Sequence, residues 1–306
     1  MTNSIANKVA VLCGGSSAER DISLVSGKAA NLALQDCGYK TTLIDVRRDI
    51  RILVEAISET NPDVVFNALH GRYGEDGCIQ GLLDLMAIPY TNSGRLASAL
   101  AMNKHIAKQL FAKNGIPVAE YRVVTKGEAQ KEEVLPRPYV IKPINEGSSV
   151  GVHLVKDGDD HPPLDELPGD DNTLIMVERY IPGREMTVAI MGDRPLAVTE
   201  IDTRRTFYDY TAKYAAGGSE HILPAHLDNS TYDLAMELSL IAHRSLDCRG
   251  LSRTDLRFDG TNFFVLEVNT QPGLTPTSLV PEQAAYKGIS FSQLVKWMVE
   301  NAQCDI

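Results

Sequence analysis

Between residues 8 and about 93 the chain alternates short apolar runs with amphipathic ones. "KVAVLC" is followed by a helical stretch from Glu19 to about Asp36, then by "TTLIDV", "IRILVEAISE", "DVVFNAL" and "QGLLDLMA". Short β-branched runs separated by segments of helical period do not pair as hairpins. Each strand is carried back over the sheet by a helix, which makes the strands parallel. A small doubly wound parallel sheet is expected, with ligands at the carboxyl ends of its strands. Two loops occupy such ends, "GGSSAERD" and "HGRYGEDG".

The remainder changes character. A helical segment, "ASALAMNKHIAKQLFAKNG", stops at Gly115 with Pro117 beyond it, a helix-ending signature. Residues 118–181 hold short strands such as "YVIKP" and "VHLV", then an acidic, proline-containing stretch, "KDGDDHPPLDELPGDDN", expected as a solvated loop. From 182 onward come "MTVAIM", "LAVTEI", a long polar loop and a helix over about 231–247. The hairpin "SRTDLRFDGTNFFVLEVN" follows, and a final amphipathic helix carries the only tryptophan, Trp297. The expected class is α/β, α+β overall, in three units: 1–93, 94–181 and 182–306.

The hairpin carries the most chemistry. Side chains alternate along a strand, so Arg253, Asp255 and Arg257 are expected on one face. On the returning strand Val265, Glu267 and Asn269 are expected to share a face, opposed by Leu266 and Val268. The turn "DGTN" folds one strand onto the other and brings Asp255 near Glu267 and Asn269. Two carboxylates and a carboxamide are hard oxygen donors, suited to Mg²⁺ rather than zinc; for any one acidic residue an exposed polar sheet face is the plainer reading. In "YVIKPINEGSSVGV" an apolar strand delivers Lys142 to a glycine- and serine-rich loop, whose backbone N–H groups can wrap polyphosphate. This is not the phosphate loop that opens a helix, because no G-K-[ST] follows. In "GGSSAERD", Ser16 and Glu19 match the S-x-x-E capping box, and the two first-turn acids disfavour phosphate.

Composition narrows the partners. A net charge of −10 without a basic block argues against a nucleic-acid surface, and no apolar run approaches a membrane span. Five scattered cysteines with no C-x-x-C pair read as reduced thiols. The opening residues lack a signal-peptide pattern, so a cytoplasmic location is expected. A nicotinamide-dependent dehydrogenase is the main rival, since Gly14 and Gly15 follow a strand and Asp45 ends the next; G-x-G-x-x-G is missing, however. A non-catalytic nucleotide-binding protein on the same fold is a second alternative.

Taken together, "GGSSAER", "ALHGRYGEDG", "NKHIAKQL", "IKPINEGSSVGV", "ERYIPGREMTVAI", "TFYDYTAKY", "SRTDL" and "LEVNTQPGLTPTSLVP" resemble the D-alanine–D-alanine ligases of the ATP-grasp superfamily, in order and spacing from about residue 8 to 297. The departures lie at 125–137 and 156–173. The resemblance implies that Lys104, Lys142 and Lys213 hold ATP phosphates, that Glu178, Arg179 and Ile181 border the adenine, and that Glu185 holds the ribose. It implies that Glu19, Ser148 and Tyr214 hold the first D-alanine, with His70 near the substrate amines. About two Mg²⁺ ions, for which Mn²⁺ can substitute, would sit on Asp255, Glu267 and Asn269. Arg253 and the Gly273 N–H would receive the developing oxyanion, and the helix opened by Ser278 and Leu279 would receive the second carboxylate. The other six histidines are read as surface or structural. The family implies a homodimer making a peptidoglycan precursor; within it, D-alanine–D-lactate and D-alanine–D-serine ligation are alternatives, and Tyr214 resembles the dipeptide-forming enzymes.

Overall fold

The computed structural model describes residues 7–148, 150–160, 162–202, 220–275 and 277–305. It opens with β1 (Lys8–Gly14), α1 (Arg20–Asp36), β2 (Lys40–Val46), α2 (Ile50–Thr60), β3 (Val64–Asn67) and α3 (Cys78–Leu85). The three strands are parallel in the order β2-β1-β3, as the alternation required. Both faces of β1 are buried: Val9 and Val11 enter one apolar cluster, Ala10 and Leu12 another. That is the position of a central strand covered on both sides. Gly14 and Gly15 leave it with φ of +88° and +86°. A Cβ at Gly14 would overlap the Asp45 carboxylate, so glycine is needed at this exit.

The single helix expected over 97–115 is two, α4 (Arg95–Met102) and α5 (Lys104–Lys113). Asn103 separates them in an extended conformation, and its Oδ1 accepts the Ile106 N–H at 3.1 Å. Asparagine competes with the helical backbone for hydrogen bonds and so favours a cap over an interior position. Next come β4 (Tyr121–Thr125), α6 (Lys126–Ala129), β5 (Tyr139–Pro143), β6 (His153–Val155) and β7 (Leu174–Arg179). They form an antiparallel sheet ordered β4-β7-β5-β6. The acidic stretch holds one short 3₁₀ turn, Leu164–Glu166, whose Leu164 joins Leu167 beneath this sheet.

The last part contains β8 (Arg184–Met191), β9 (Arg194–Asp202), β10 (Glu220–Ile222), α7 (Asn229–Ser245), β11 (Leu251–Phe258), β12 (Phe263–Asn269), α8 (Leu279–Tyr286) and α9 (Phe291–Glu300). Its antiparallel sheet runs β10-β9-β8-β11-β12. One core draws on both ends of the chain: Val9, Val11, Leu34 and Phe66 pack with Leu274, Val280, Leu294, Val295 and Met298. The five cysteines are all unpaired. Among the described residues no helix is long and apolar enough to cross a membrane.

Candidate active site

The glycine loop behaves differently from a capping box. Helix α1 starts at Arg20, Glu19 is its N-cap, and neither Ser16 nor the Glu19 carboxylate caps it. Glu19 is instead buried and its Oε1 accepts a hydrogen bond from Ser148 Oγ in the β5–β6 loop. The side chain that could have closed the box is drawn across the cleft to a hydroxyl 129 residues away. His70 and Glu75 line the same cavity, with Arg253, Gly273, Ser278 and Leu279 on its far wall. Burial lowers the His70 pKa to about 4 against the smaller opposing effect of a Gln271 backbone contact, so the ring is neutral. Its Nε2 is buried without a hydrogen-bond partner among the described residues. Burial, and next the Glu19 charge, raise the Glu75 pKa well above the carboxylate range.

A second cavity is lined by Lys142, Glu178, Arg179, Tyr180, Ile181, Glu185, Asp255 and Arg257. Lys142, delivered by β5 as expected, donates to Glu178 Oε2 at 2.6 Å. Glu178 is buried, and its other oxygen lies 2.5 Å from Lys108 Nζ. Its carboxylate is therefore the centre of an ion cluster, a role the motif "ERYI" did not disclose. Arg257 organises the wall beyond it. Its guanidinium donates to the backbone oxygens of Ile181 and Gly183 at 3.1 and 3.0 Å and to Glu185 Oε2 at 3.2 Å.

The hairpin folds as expected at its turn, where Asp259 Oδ1 accepts the N–H groups of Thr261 and Asn262. Asp255 pairs across from Glu267, and Arg253 from Asn269. The strict alternation on β12 is overturned, however. The register shifts between Asp255 and Leu256, whose partner is Val265, so Leu266 is an extra residue opposite the break. Such a bulge breaks the two-residue period. Val265 and Val268 both enter the apolar core, while Leu266 and Glu267 both line the second cavity. Asp255 accepts from Arg253 Nε and Nη2, each at 2.8 Å, and from Thr187 Oγ1 at 2.7 Å. Asn269 Oδ1 accepts the Gln271 N–H at 2.9 Å. Asp255, Glu267 and Asn269 remain an oxygen-only donor set on adjacent strands, which fits a hard divalent cation.

Ser278 precedes α8 as its N-cap, and Gly273 lies beside it, close enough that a Cβ would stand 3.0 Å from Ser278 Oγ. Lys213 and Tyr214 lie outside the described residues. His221, set aside in the sequence as structural, lines the first cavity and pairs with Glu282 at 2.9 Å. Glu75 and Lys108 were also missed. Glu75 stands five residues after His70 in one loop, and Lys108 one helical turn after Lys104; those spacings were the available signals.

The two cavities meet. Lys104, Glu146 and Glu267 line both, with Lys104 Nζ 3.0 Å from Glu267 Oε2 and donating to the Glu146 carbonyl at 2.6 Å. A family model described as D-ala D-ala ligase C-terminus matches residues 110–300, and one described as D-ala D-ala ligase N-terminus matches residues 52–93. The chain belongs to the D-alanine–D-alanine ligase family. Curated family members include the D-alanine–D-alanine ligases of Paramagnetospirillum magneticum and Rhodospirillum rubrum. Each is 56% identical to this chain and covers 98% of it and 100% of the relative. The fold agrees. D-alanine–D-alanine ligase from Bacillus anthracis, complexed with ATP, superposes with a TM-score of 0.82 at 30% identity, covering 96% of each chain.

Proposed function

We infer that this chain ligates two D-alanine molecules to D-alanyl-D-alanine, consuming ATP and releasing ADP and phosphate, as a supplier of peptidoglycan precursor. The observation that carries the reading is the junction at Lys104, Glu146 and Glu267, where a cavity lined by Glu19, His70, Ser148 and Arg253 adjoins one lined by Lys142, Arg179, Ile181 and Glu185. A carboxylate resists nucleophiles because of its charge; phosphoryl transfer from ATP gives an acyl phosphate with a good leaving group. Such transfer needs positioning and charge neutralisation, and Lys104, Lys142 and Lys213 supply the cations. Arg179 and Ile181 border the adenine, and Glu185 the ribose. Glu19, through Ser148 and Tyr214, holds the first ammonium, with neutral His70 offering its unpaired Nε2 beside it. When bound, Mg²⁺ or Mn²⁺ on Asp255, Glu267 and Asn269 would screen the phosphate oxygens. Arg253 and the Gly273 N–H receive the oxyanion as the second amine attacks, and the start of α8 at Ser278 and Leu279 receives the second carboxylate.

The reading places the enzyme in the cytoplasm as a homodimer, with units 1–93, 94–181 and 182–306 clasping the cleft. The test is coupled ADP release with ATP, Mg²⁺ and D-alanine alone, against D-alanine with D-lactate, D-alanine with D-serine, and L-alanine. ADP release with D-alanine alone, and D-alanyl-D-alanine as product, are expected. No release above background would overturn the reading, and a depsipeptide or mixed dipeptide as the favoured product would reassign the second substrate.

A further inference from the structure

Lys108 is a buried cation beside the cleft that lines neither cavity. It lies on α5, one turn beyond Lys104, with a side chain 0% exposed. Its Nζ stands 2.5 Å from Glu178 Oε1 and donates to the Val265 carbonyl of β12 at 3.2 Å. The opposite oxygen of the same carboxylate holds Lys142. One helix thus sends a lysine into the junction and a second behind it. A fully buried lysine carries a large desolvation cost and is retained only with strong compensation. Burial pulls its pKa down, and Glu178 opposes that pull.

We propose that Lys108 is a positioning residue for ATP, acting through Glu178 to hold the Lys142 ammonium at the nucleotide cavity with its charge unspent. The reasoning is a charge count. Glu178 with Lys142 alone is a closed, neutral pair, and the lysine turns to the carboxylate. Glu178 shared between two lysines leaves one formal positive charge on the cluster, and of its two cations only Lys142 lines the nucleotide cavity. The bond to Val265 ties this cluster to the strand that carries Glu267, so the phosphate grip and the metal-binding strand are held by one side chain. The proposal rests on the placing of the nucleotide at Lys142.

The test is steady-state kinetics of the full chain with ATP and D-alanine varied in turn. Lys108→Met keeps the length and removes the charge. The KM for ATP is expected to rise on the order of tenfold or more, as for loss of a hydrogen bond to a charged group, with the KM for D-alanine within about twofold. A purely structural role would lower the urea midpoint and the active fraction while leaving the ATP KM in place, and that result overturns the proposal. Lys142→Met is the comparator. If it leaves the ATP KM unchanged, the nucleotide placement fails; if it raises that KM and Lys108→Met does not, this inference alone fails. Should Lys108→Met not fold, Glu178→Gln, in which the buried Lys108 can shed its proton, and the Lys108→Met/Glu178→Gln double variant, which removes the buried cation and carboxylate together, carry the test. A residue acting through Glu178 adds no further rise in ATP KM once Glu178 is neutral. A full additional rise in the double variant rejects the coupling.

Discussion

Glu19 and Ser148 show how a side chain is claimed by a site. The local pattern offered Glu19 to the helix backbone, yet the fold draws it to a hydroxyl across the cleft. Because it makes no cap bond and glutamine keeps an oxygen for Ser148, Glu19→Gln should change the unfolding free energy by no more than about 1 kcal/mol. The apparent affinity for D-alanine should fall roughly tenfold or more, while the KM for ATP is spared. An unchanged D-alanine affinity would return Glu19 to a purely structural part. His70 makes a pH prediction. Its folded pKa of about 4 lies below the ordinary 6.5. Between those values the unfolded chain takes up a proton that the buried ring refuses. The stability associated with a neutral His70 is thus complete above pH 6.5 and is lost as the pH falls towards 4. The loss is up to roughly 3 kcal/mol at about 1.4 kcal/mol per pH unit. Urea melts at several pH values should show a shallower acid slope for His70→Gln; an identical slope would refute the assignment.

Elements differ in how far the sequence discloses them. The parallel sheet was legible because strand and helix periods alternate without interruption from residue 8 to 93. The β11–β12 hairpin was legible because "DGTN" leaves the chain one way to turn. What escaped is what depends on pairing. The bulge at Leu266 arises from the register between two strands, and no period within β12 records it. Lys108 looks like any lysine on a helix until β5, β7 and β12 close around it. Glu75 was hidden differently: a carboxylate beside Glu19 is explained by the loop's return across the sheet, a contact of high sequence separation. The break between α4 and α5 was readable in hindsight from Asn103, which prefers to start a helix rather than continue one. Asn103→Ala should therefore cost about 1 kcal/mol of stability, and Asn103→Asp should restore most of it. Equal urea midpoints for wild type and the alanine variant would show that the cap bond contributes nothing.

At the scale of the molecule, the core shared by β1, α1, β3, α8 and α9 makes the chain's two ends one structural unit. Leu294 is fully buried in that core, so Leu294→Ala is expected to destabilise by about 2–5 kcal/mol. Trp297, on the same helix and packed against the same cluster, supplies the optical probe. Its fluorescence change and the far-UV circular dichroism of wild type and variant should shift together to lower urea. A tryptophan transition preceding the loss of helix and sheet signal would mean that α9 detaches by itself.

This closure also imposes an order on biosynthesis. The strands of the parallel sheet leave the ribosome early, but one apolar face of it is completed by residues 291–300. At ordinary translation speeds the roughly 225 residues between Phe66 and Phe291 take on the order of 10–45 s to appear. For that interval Val9, Val11 and Phe66 lack their final partners, and the nascent chain presents an unfinished apolar surface to chaperones until its last helix arrives.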